Sequence, residues 1–198
     1  MEPAGPQDLR IVPEDWLAEL DLRKYFGNDN PLEVDVGCGK GNFVLQRARA
    51  HPDSNFLGID RMLRRIRKVC NKAWRMELDN IRLLRMDASY AVSHMLPPDS
   101  VAVYYVFFPD PWPKKRHHEN RFFDPLFLSA VKRTLRSGGL INVATDHLPF
   151  FEEIEALLEA EQSFVRAETF VPQDHERTEF ERYYLTHKQI GRCSFRLI

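Results

Sequence analysis

A regular alternation of apolar strands and amphipathic helices, beginning at residue 32, constrains the fold of this chain more than any other feature. The predicted strands are rich in β-branched and aromatic residues, which is typical of strands buried in a parallel sheet. Because helical segments separate them, they predict βαβ units and a doubly wound α/β sheet with helices on both faces. Strands are predicted over 32–36, 55–59, 81–86, 101–108, 140–144, 164–170 and 193–198.

The predicted helices fill the intervals between those strands. The run Ser137-Gly138-Gly139 is expected to end the helix before it, because glycine favours helix ends. The sheet is expected to be mostly parallel with a C-terminal antiparallel hairpin strand. Residues 1–30 are interpreted as a loose leader with a short helix, and residues 31–198 as a single domain. Helices are predicted over 14–26, 42–50, 62–77, 90–95, 125–136 and 150–161.

Composition narrows the class of protein. No apolar run approaches the roughly 20 residues that span a bilayer, and the N-terminus lacks the pattern of a signal peptide, so a cytoplasmic protein without a membrane association is expected. Cys38, Cys70 and Cys193 form no CxxC pair, which predicts neither a disulfide framework nor a zinc site. The net charge of −1 argues against a protein that coats nucleic acid, but it leaves local binding open.

A glycine-rich turn follows the first strand of the alternation. The glycines Gly37 and Gly39, in a GxGxG spacing, allow a tight turn and a close approach to a ligand. Asp35 precedes this turn, and Asp60 and Asp87 follow the next two strands, at the same edge of the sheet. Three carboxylates suit a ligand with an amino-acid head better than a pyrophosphate, which favours S-adenosylmethionine over NAD. The alternatives are an ordinary glycine turn, and helix N-capping by the two later aspartates.

The loop after the 101–108 strand is rigid and carries chemistry. Three prolines between positions 109 and 113 exclude a helix and hold Asp110 and Trp112 at a strand end. Such a loop can position a planar substrate, and the basic run after it suits phosphates. The alternative is a structural proline turn with a solvated charge run, and Trp112 could equally pack against the sheet edge. His117 and His118 have no second ligand pair, so no metal is expected.

The stretch Phe-Pro-Asp-Pro-Trp-Pro-Lys-Lys-Arg-His-His, residues 108–118, resembles the signature of the tRNA (guanine-N7-)-methyltransferases. Thr145-Asp146 resembles that family's second signature, and the segment 178–181 resembles its third. The resemblance spans about residues 32 to 198. It implies a Rossmann-like methyltransferase that uses S-adenosylmethionine to methylate N7 of a guanosine at position 46 of the tRNA variable loop.

The resemblance also implies roles for individual residues. Asp110 would be catalytic and would lie in the cofactor region. The other cofactor-binding residues would be Asp35, Gly37, Gly39, Asp60 and Asp87. The residues that contact substrate would be Lys114, Asp146, Thr178, Glu179, Phe180 and Glu181, and those that contact RNA would be Arg116, His117, His118 and Arg121.

The chain departs from the family's pattern at three places. The family usually has Trp where His147 stands and often Lys where Glu179 stands, and the segment 182–191 does not follow the usual spacing of Arg and Gly. Contacts of the C-terminal segment with substrate are the part of the resemblance that these departures affect.

Methylation of guanine N7 depends more on the position of the base than on a catalytic base. Guanine N7 carries a free lone pair and loses no proton on attack, so Asp110 and Asp146 are expected to act as orienting acceptors for the base. A separate basic face on the 62–77 helix, with Arg61 just before it, is either a track for tRNA phosphates or a solvated stripe. Its residues are Arg61, Arg65, Lys68, Lys72 and Arg75.

Three rival functions remain open at this stage: a methyltransferase of the same fold for another substrate, an NAD-dependent oxidoreductase, and a non-catalytic RNA-binding subunit. The short glycine turn disfavours the oxidoreductase, and the basic run disfavours a small-molecule substrate. The expected partner is tRNA. The chain is expected to be a monomer or a homodimer, and a partner subunit stays possible.

Overall fold

The structure is a computed structural model that describes residue 5 and residues 9–111, 123–184 and 188–198. Within these ranges eight strands form one sheet. They are β1 (Arg10–Ile11), β2 (Leu32–Val36), β3 (Asn55–Ile59), β4 (Ile81–Leu84), β5 (Val101–Phe107), β6 (Leu135–Thr145), β7 (Phe164–Arg166) and β8 (Gly191–Leu197).

The strand order across the sheet is β1-β4-β3-β2-β5-β6-β8-β7. The pairs from β1 to β6 are parallel, and β8 runs antiparallel between β6 and β7. This confirms the mostly parallel sheet with an antiparallel C-terminal hairpin. The order of the strands reverses at β2 and β5, so a crevice for ligands is expected at the carboxyl ends of those strands.

Helices cover the sheet on both faces, as expected. On one face α5 (Pro125–Thr134) and α6 (Leu148–Ala160) pack over a large core that contains Tyr104 and Val106 of β5. On the other face α2 (Asn42–Ala50) and α3 (Leu63–Arg75) pack over β3 and β4. The helices are α1 (Leu22–Phe26), α2 (Asn42–Ala50), α3 (Leu63–Arg75), α4 (Ala88–Tyr90, continued by a π-helical turn Ala91–Met95), α5 (Pro125–Thr134), α6 (Leu148–Ala160) and α7 (Glu179–Tyr184).

The N-terminal segment corrects one expectation. Arg10 and Ile11 pair with Leu83 and Leu84 of β4, so part of the expected loose leader is an edge strand of the sheet. The helix expected from residue 14 begins only at Leu22, where the side chain of Asp21 caps it. The two-residue strand has no periodicity that a sequence could reveal, because its pairing with β4 alone defines it.

The glycine pair after α5 also behaves differently from the prediction. The helix ends at Thr134, and β6 begins at once with Leu135, which pairs with Val101. The next paired residue on β6 is Leu140, opposite Val103, so the residues between form a bulge in which Gly138 has a φ of 76°. The glycines therefore interrupt a strand and do not separate the helix from it.

No helix among the described residues is long and apolar enough to cross a membrane.

Candidate active site

A pocket of about 520 Å³ opens at the carboxyl ends of β2, β3, β4 and β5, next to the switch point of the sheet. Its wall includes three of the acidic residues that the sequence predicts in the site: Asp60 after β3, Asp87 after β4 and Asp110 after β5. Consecutive strand–helix loops thus bring residues that are far apart in sequence to one edge. The apolar part of the lining consists of Val36, Ile59, Met62, Met86, Ala88, Phe107, Phe108 and Pro109.

The glycine turn forms the floor at the end of β2. The backbone N–H groups of Gly37 and Cys38 both donate to the carbonyl of Ile59, at 2.9 and 2.8 Å. Gly37 has a φ of 83°, in the left-handed region that favours glycine. Gly41, at a φ of 81°, leads into α2, and a Cβ there would lie 2.6 Å from the side chain of Val69. The turn therefore needs glycine for its own backbone and for the packing of α3.

Asp60 links the glycine turn to α3. One carboxylate oxygen accepts from the backbone N–H of Gly39 at 3.2 Å and from the guanidinium of Arg65 at 3.1 Å. The other oxygen accepts from the backbone N–H of Met62 at 2.7 Å. The side chain is buried while Arg65 is half exposed. Asp60 is thus a fixed acceptor at the pocket wall.

Asp35 is a buried carboxyl group with no counter-charge among the described residues. Burial first, and the negative charge of Asp60 second, together raise its pKa to about 7. Its side chain has no hydrogen bond or ion pair to any part of the chain that the structure describes. It precedes Val36 and Gly37, which line the pocket, but it is not itself part of the pocket wall.

Asp87 caps a helix, as the alternative interpretation allowed. Its carboxylate accepts a hydrogen bond from the backbone N–H of Tyr90 at 3.1 Å, so Asp87 is the N-cap of α4. The residue is also exposed and lines the pocket, so capping leaves the second carboxylate oxygen free to meet a ligand. Asp60 is not the N-cap of α3, since Met62 occupies that position.

The backbone is strained where β5 ends, at Phe108 in the pocket wall. Phe108 has a φ of 53°, which is unusual for a bulky side chain, and its N–H donates to the carbonyl of Ala144 at 2.7 Å. Strain of this kind concentrates at functional sites. Asp110 follows two residues later, exposed and facing the pocket. Sequence reasoning missed Phe108 as a lining residue, although its position beside the proline loop was a signal.

Asp146 lies at the end of the neighbouring strand β6. Lys188 forms an ion pair with its carboxylate at 3.3 Å, and Asp146 is not part of the wall of the main pocket. His147 begins α6, because its Nδ1 accepts from the backbone N–H of Phe150 at 3.1 Å. The departure from the family's usual Trp therefore places a helix cap at this strand end.

A C-terminal arm, defined here as residues 173–181, lies against the helix that follows the glycine turn. The side-chain amide of Asn42, the first residue of α2, donates to the carbonyls of His175 at 3.1 Å and Arg177 at 2.7 Å. The first turn of α2 therefore holds the arm that carries the third family-like signature.

A buried polar network holds the same arm from below. The guanidinium of Arg47 on α2 lies 3.3 Å from the carboxylate of Glu33 and 3.5 Å from that of Glu176. The hydroxyl of Tyr105 donates to Glu33 at 2.7 Å. All three charged side chains are largely buried, so each one needs the others.

Two acids of the expected substrate-binding segment already have protein partners. Lys72 of α3 forms an ion pair with Glu179 at 3.2 Å. The side chain of Glu181 is buried, pairs closely with Arg192 of β8 and lies 3.7 Å from Arg177. Glu181 therefore fixes α7 to the sheet, and its buried position keeps it from the surface where substrate contact was expected.

Several predicted residues lie outside the described residues: Trp112, Lys114, Arg116, His117, His118 and Arg121.

The predicted basic face of α3 is largely exposed to solvent. Arg61, Lys68 and Arg75 are exposed, whereas Arg65 pairs with Asp60 and Lys72 with Glu179. Further exposed arginines, which the sequence interpretation did not include, are Arg64, Arg67 and Arg85.

Comparison with known proteins points to one family. A family model described as "Putative methyltransferase" matches residues 29–190. A tRNA (guanine-N(7)-)-methyltransferase of Nocardia farcinica is 39% identical over 158 residues, which is 80% of this chain and 59% of the relative. One of Halorhodospira halophila is 36% identical over 187 residues, which is 92% of this chain and 80% of the relative.

The length and the fold can be compared in the same way. The chain spans only 59% and 50% of the length of the relatives from Nocardia farcinica and Streptomyces avermitilis. Among solved structures, the 16S rRNA methyltransferase KamB superposes with a TM-score of 0.67 at 16% identity, over 90% of this chain and 94% of that chain. The antibiotic-resistance methyltransferase Kmr gives 0.61 at 18% identity, over 90% and 92%. These structures share the fold of this chain.

Proposed function

Because the chain belongs to the family of the tRNA (guanine-N7-)-methyltransferases, we propose that it transfers a methyl group from S-adenosylmethionine to N7 of a guanosine in tRNA. We further propose that the target lies in the variable loop, at position 46, and that the enzyme acts in the cytoplasm. The observation that carries the proposal is the position of Asp110, on the wall of the pocket that the glycine turn and Asp60 also form.

The residues around the pocket fit S-adenosylmethionine. Asp35 is a buried carboxylate with no positive partner in the described parts of the chain, and the ammonium group of the methionine moiety would supply one. The oxygens of Asp60 already accept three hydrogen bonds out of the roughly four that a carboxylate can accept. Asp60 can therefore hold one ribose hydroxyl as it stands, and both if the half-exposed Arg65 moves away.

The apolar lining suits the adenine ring. Met62, Ile59 and Met86 come from the ends of β3 and β4 and offer polarisable or aliphatic surface beside Asp87. The free carboxylate oxygen of Asp87 can accept from an exocyclic amino group. No basic side chain that would match a pyrophosphate lies in the glycine turn except that of Lys40.

S-adenosylmethionine supplies a methyl group on a cationic sulfur, and the lone pair of guanine N7 forms the new N–C bond as the C–S bond breaks and its electrons return to sulfur. No proton has to leave N7, so Asp110 need not act as a base. Its carboxylate can accept from the donors on the Watson–Crick edge of guanine and hold N7 in line with the methyl group. It also stabilises the positive charge that the base gains.

Asp146 is a candidate for the second acceptor on the guanine. It follows β6, the strand next to β5, and its present partner Lys188 is well exposed. Exchange of that exposed ion pair for a hydrogen bond to the base costs little, since exposed pairs contribute about 0–1 kcal/mol. We propose that Asp110 and Asp146 together select guanine.

The test is methyl transfer from labelled S-adenosylmethionine to an unmodified tRNA transcript, followed by borohydride and aniline cleavage at 7-methylguanosine. A single cut in the variable loop is expected. A transcript with adenosine in place of the target guanosine is the matched control and should take up no label. Label in protein or in a small molecule, or binding of the cofactor without methylation of RNA, would contradict the proposal.

A further inference from the structure

An exposed aromatic surface lies beside the pocket, on α7. Phe180, Tyr183 and Tyr184 are 43, 70 and 67% exposed. Their spacing of three and four residues places them on one side of the helix. We call this set the aromatic platform. Three large rings within five residues leave much apolar area in water, which is common where a protein binds a partner.

The platform is continuous with the pocket. The ring of Phe108, which lines the pocket, lies 5.4 Å from the ring of Phe180, and that ring lies 5.4 Å from the ring of Tyr184. The rings therefore form a path from the pocket to solvent. The strained backbone of Phe108, at a φ of 53°, holds the inner end of that path.

The helix that carries the platform is firmly anchored. Thr178 begins it, because its hydroxyl accepts from the backbone N–H of Glu181 at 3.0 Å. The buried carboxylate of Glu181 pairs with Arg192 of β8. These contacts fix the position of the helix, which presents the three rings on one exposed side.

A positive charge lies among the rings of the platform. Arg182, on the same helix, is exposed to solvent. The acidic neighbours are engaged, since Glu179 pairs with Lys72. Rings interleaved with cations are what unpaired nucleobases and their phosphates require.

We propose that Phe180, Tyr183 and Tyr184 are a stacking site for unpaired nucleobases that flank the target guanosine in the RNA substrate. The inference rests on the proposed function for the identity of the RNA. It adds a way of binding: the target base has to leave its stack to reach the pocket, and its neighbours stack on the platform instead. Stacking is tolerant of sequence, so the platform contributes affinity for a loop and not for one base.

The test uses tRNA transcripts with 2-aminopurine beside the target guanosine, because its fluorescence falls when it stacks on an aromatic ring. The variant Tyr183→Leu/Tyr184→Leu keeps apolar bulk but removes both rings, and Tyr183→Phe/Tyr184→Phe restores them. Trp74→Leu, half exposed at the far end of α3, is the matched control. Binding of labelled S-adenosylmethionine and methyl transfer are measured on the same proteins.

The wild-type protein, the Phe variant and the Trp74 variant should all quench the probe. The Leu variant should lose the quenching and bind tRNA on the order of 10-fold more weakly, with unchanged cofactor binding. Equal quenching and affinity in the Leu variant would overturn the platform, as would a Leu variant that changes only self-association. If tRNA is methylated but the Leu variant changes neither quenching nor affinity, the proposed function holds and the stacking site is wrong. Quenching without methylation would contradict the proposed function and keep the platform.

Discussion

The part of the pocket that we propose binds the cofactor (the cofactor side) and the part that we propose binds the substrate (the substrate side) are built in different ways. On the cofactor side, each residue is placed by the turn that directly follows its own strand, as with Gly37 after β2, Asp60 after β3 and Asp87 after β4. On the substrate side, the C-terminal arm reaches its place through contacts between distant parts of the chain. Asn42 bonds to residues 133 and 135 positions away, and Lys72 to one 107 positions away.

Because of this difference, we expect that substitutions can perturb one side of the pocket without the other. A turn between a parallel strand and its helix is fixed by backbone geometry and hydrogen bonds that form with the sheet. The arm depends on a few buried charged groups, and each leaves an uncompensated partner when it is removed. Variants of the arm should therefore change binding of RNA and leave binding of the cofactor intact.

The largest expected effect comes from the residue that faces both sides. Asp110→Asn keeps the shape of the side chain but removes the charge that we propose orients guanine and stabilises the methylated base. Turnover should fall on the order of 10²- to 10³-fold, as when one preorganised electrostatic contact is lost. Single-turnover methyl transfer measures this, and equilibrium binding of labelled S-adenosylmethionine should change little. Near-wild-type turnover would exclude the proposed role of Asp110.

The next effect separates the arm from the cofactor side. Arg47→Met removes the shared partner of Glu33 and Glu176, so the free energy of unfolding should fall by about 3 kcal/mol. In the protein that remains folded, the KM for tRNA should rise while the Kd of the cofactor stays constant. Chemical denaturation and steady-state kinetics measure the two effects.

A second variant controls for the buried charges that Arg47→Met leaves behind. Arg47→Met/Glu33→Gln/Glu176→Gln should recover part of the stability but not the KM for tRNA, since the arm still lacks its tie to α2. A cofactor affinity that falls together with the affinity for tRNA would show that the two sides are not separable.

The same contrast explains how much of the molecule its sequence could predict. The strands 32–36 and 55–59 and the helix 42–50 were predicted at the bounds that the structure shows, because each is a complete apolar or amphipathic segment between turn residues. Helix α7 was not predicted, because its six residues depend on the pairing of Glu181 with Arg192, a residue of another element. Local patterns carry local structure, and long-range ion pairs have no local pattern.

The candidate site divides in the same way. The position of Asp60 and Asp87 at one edge followed from the alternation of strands and helices. Helix capping by Asp87 was among the alternatives and is observed. The ion pair of Asp60 with Arg65 was not predicted, although Arg65 lies only five positions after Asp60 on a helix with a predicted basic face. The backbone of Phe108 could not be predicted, since the proline that follows favours an extended conformation, whereas Phe108 has a φ of 53° and donates its N–H to Ala144 of β6.

A smaller effect tests the cofactor side by pH. In the cofactor-free protein, the pKa of Asp35 lies near 7 and above its value of 3.8 as a free side chain, because burial and Asp60 disfavour its charge. The neutral form is therefore favoured by folding, and this group's contribution to stability decreases as the pH rises from about 4 to 7. An ammonium ligand needs the charged form.

The affinity for S-adenosylmethionine should then rise with pH up to about 7, at most about 10-fold per pH unit, and level off above it. Titration calorimetry at several pH values measures this. Asp35→Asn should bind more weakly and without that slope. A wild-type affinity that is constant across this range would show that Asp35 does not pair with the ammonium group.

The smallest expected effect asks whether the substrate side extends onto α3. Arg64 and Lys68 are exposed, lie one turn apart and have no carboxylate within 4 Å in the parts of the chain that the structure describes. If this face follows tRNA phosphates, Arg64→Ala/Lys68→Ala should reduce the slope of log affinity against log salt by about 1 to 2. The matched control is Arg49→Ala/Arg136→Ala, which removes the same charge near the amino ends of the strands, at the end of α2 and the start of β6. This variant should leave the slope unchanged. Equal slopes in both double variants would show that the basic face of α3 is only solvated, and that RNA contacts the arm and the strand ends. A reduced slope in the first variant alone would extend the substrate side across α3, the helix whose Arg65 pairs with Asp60.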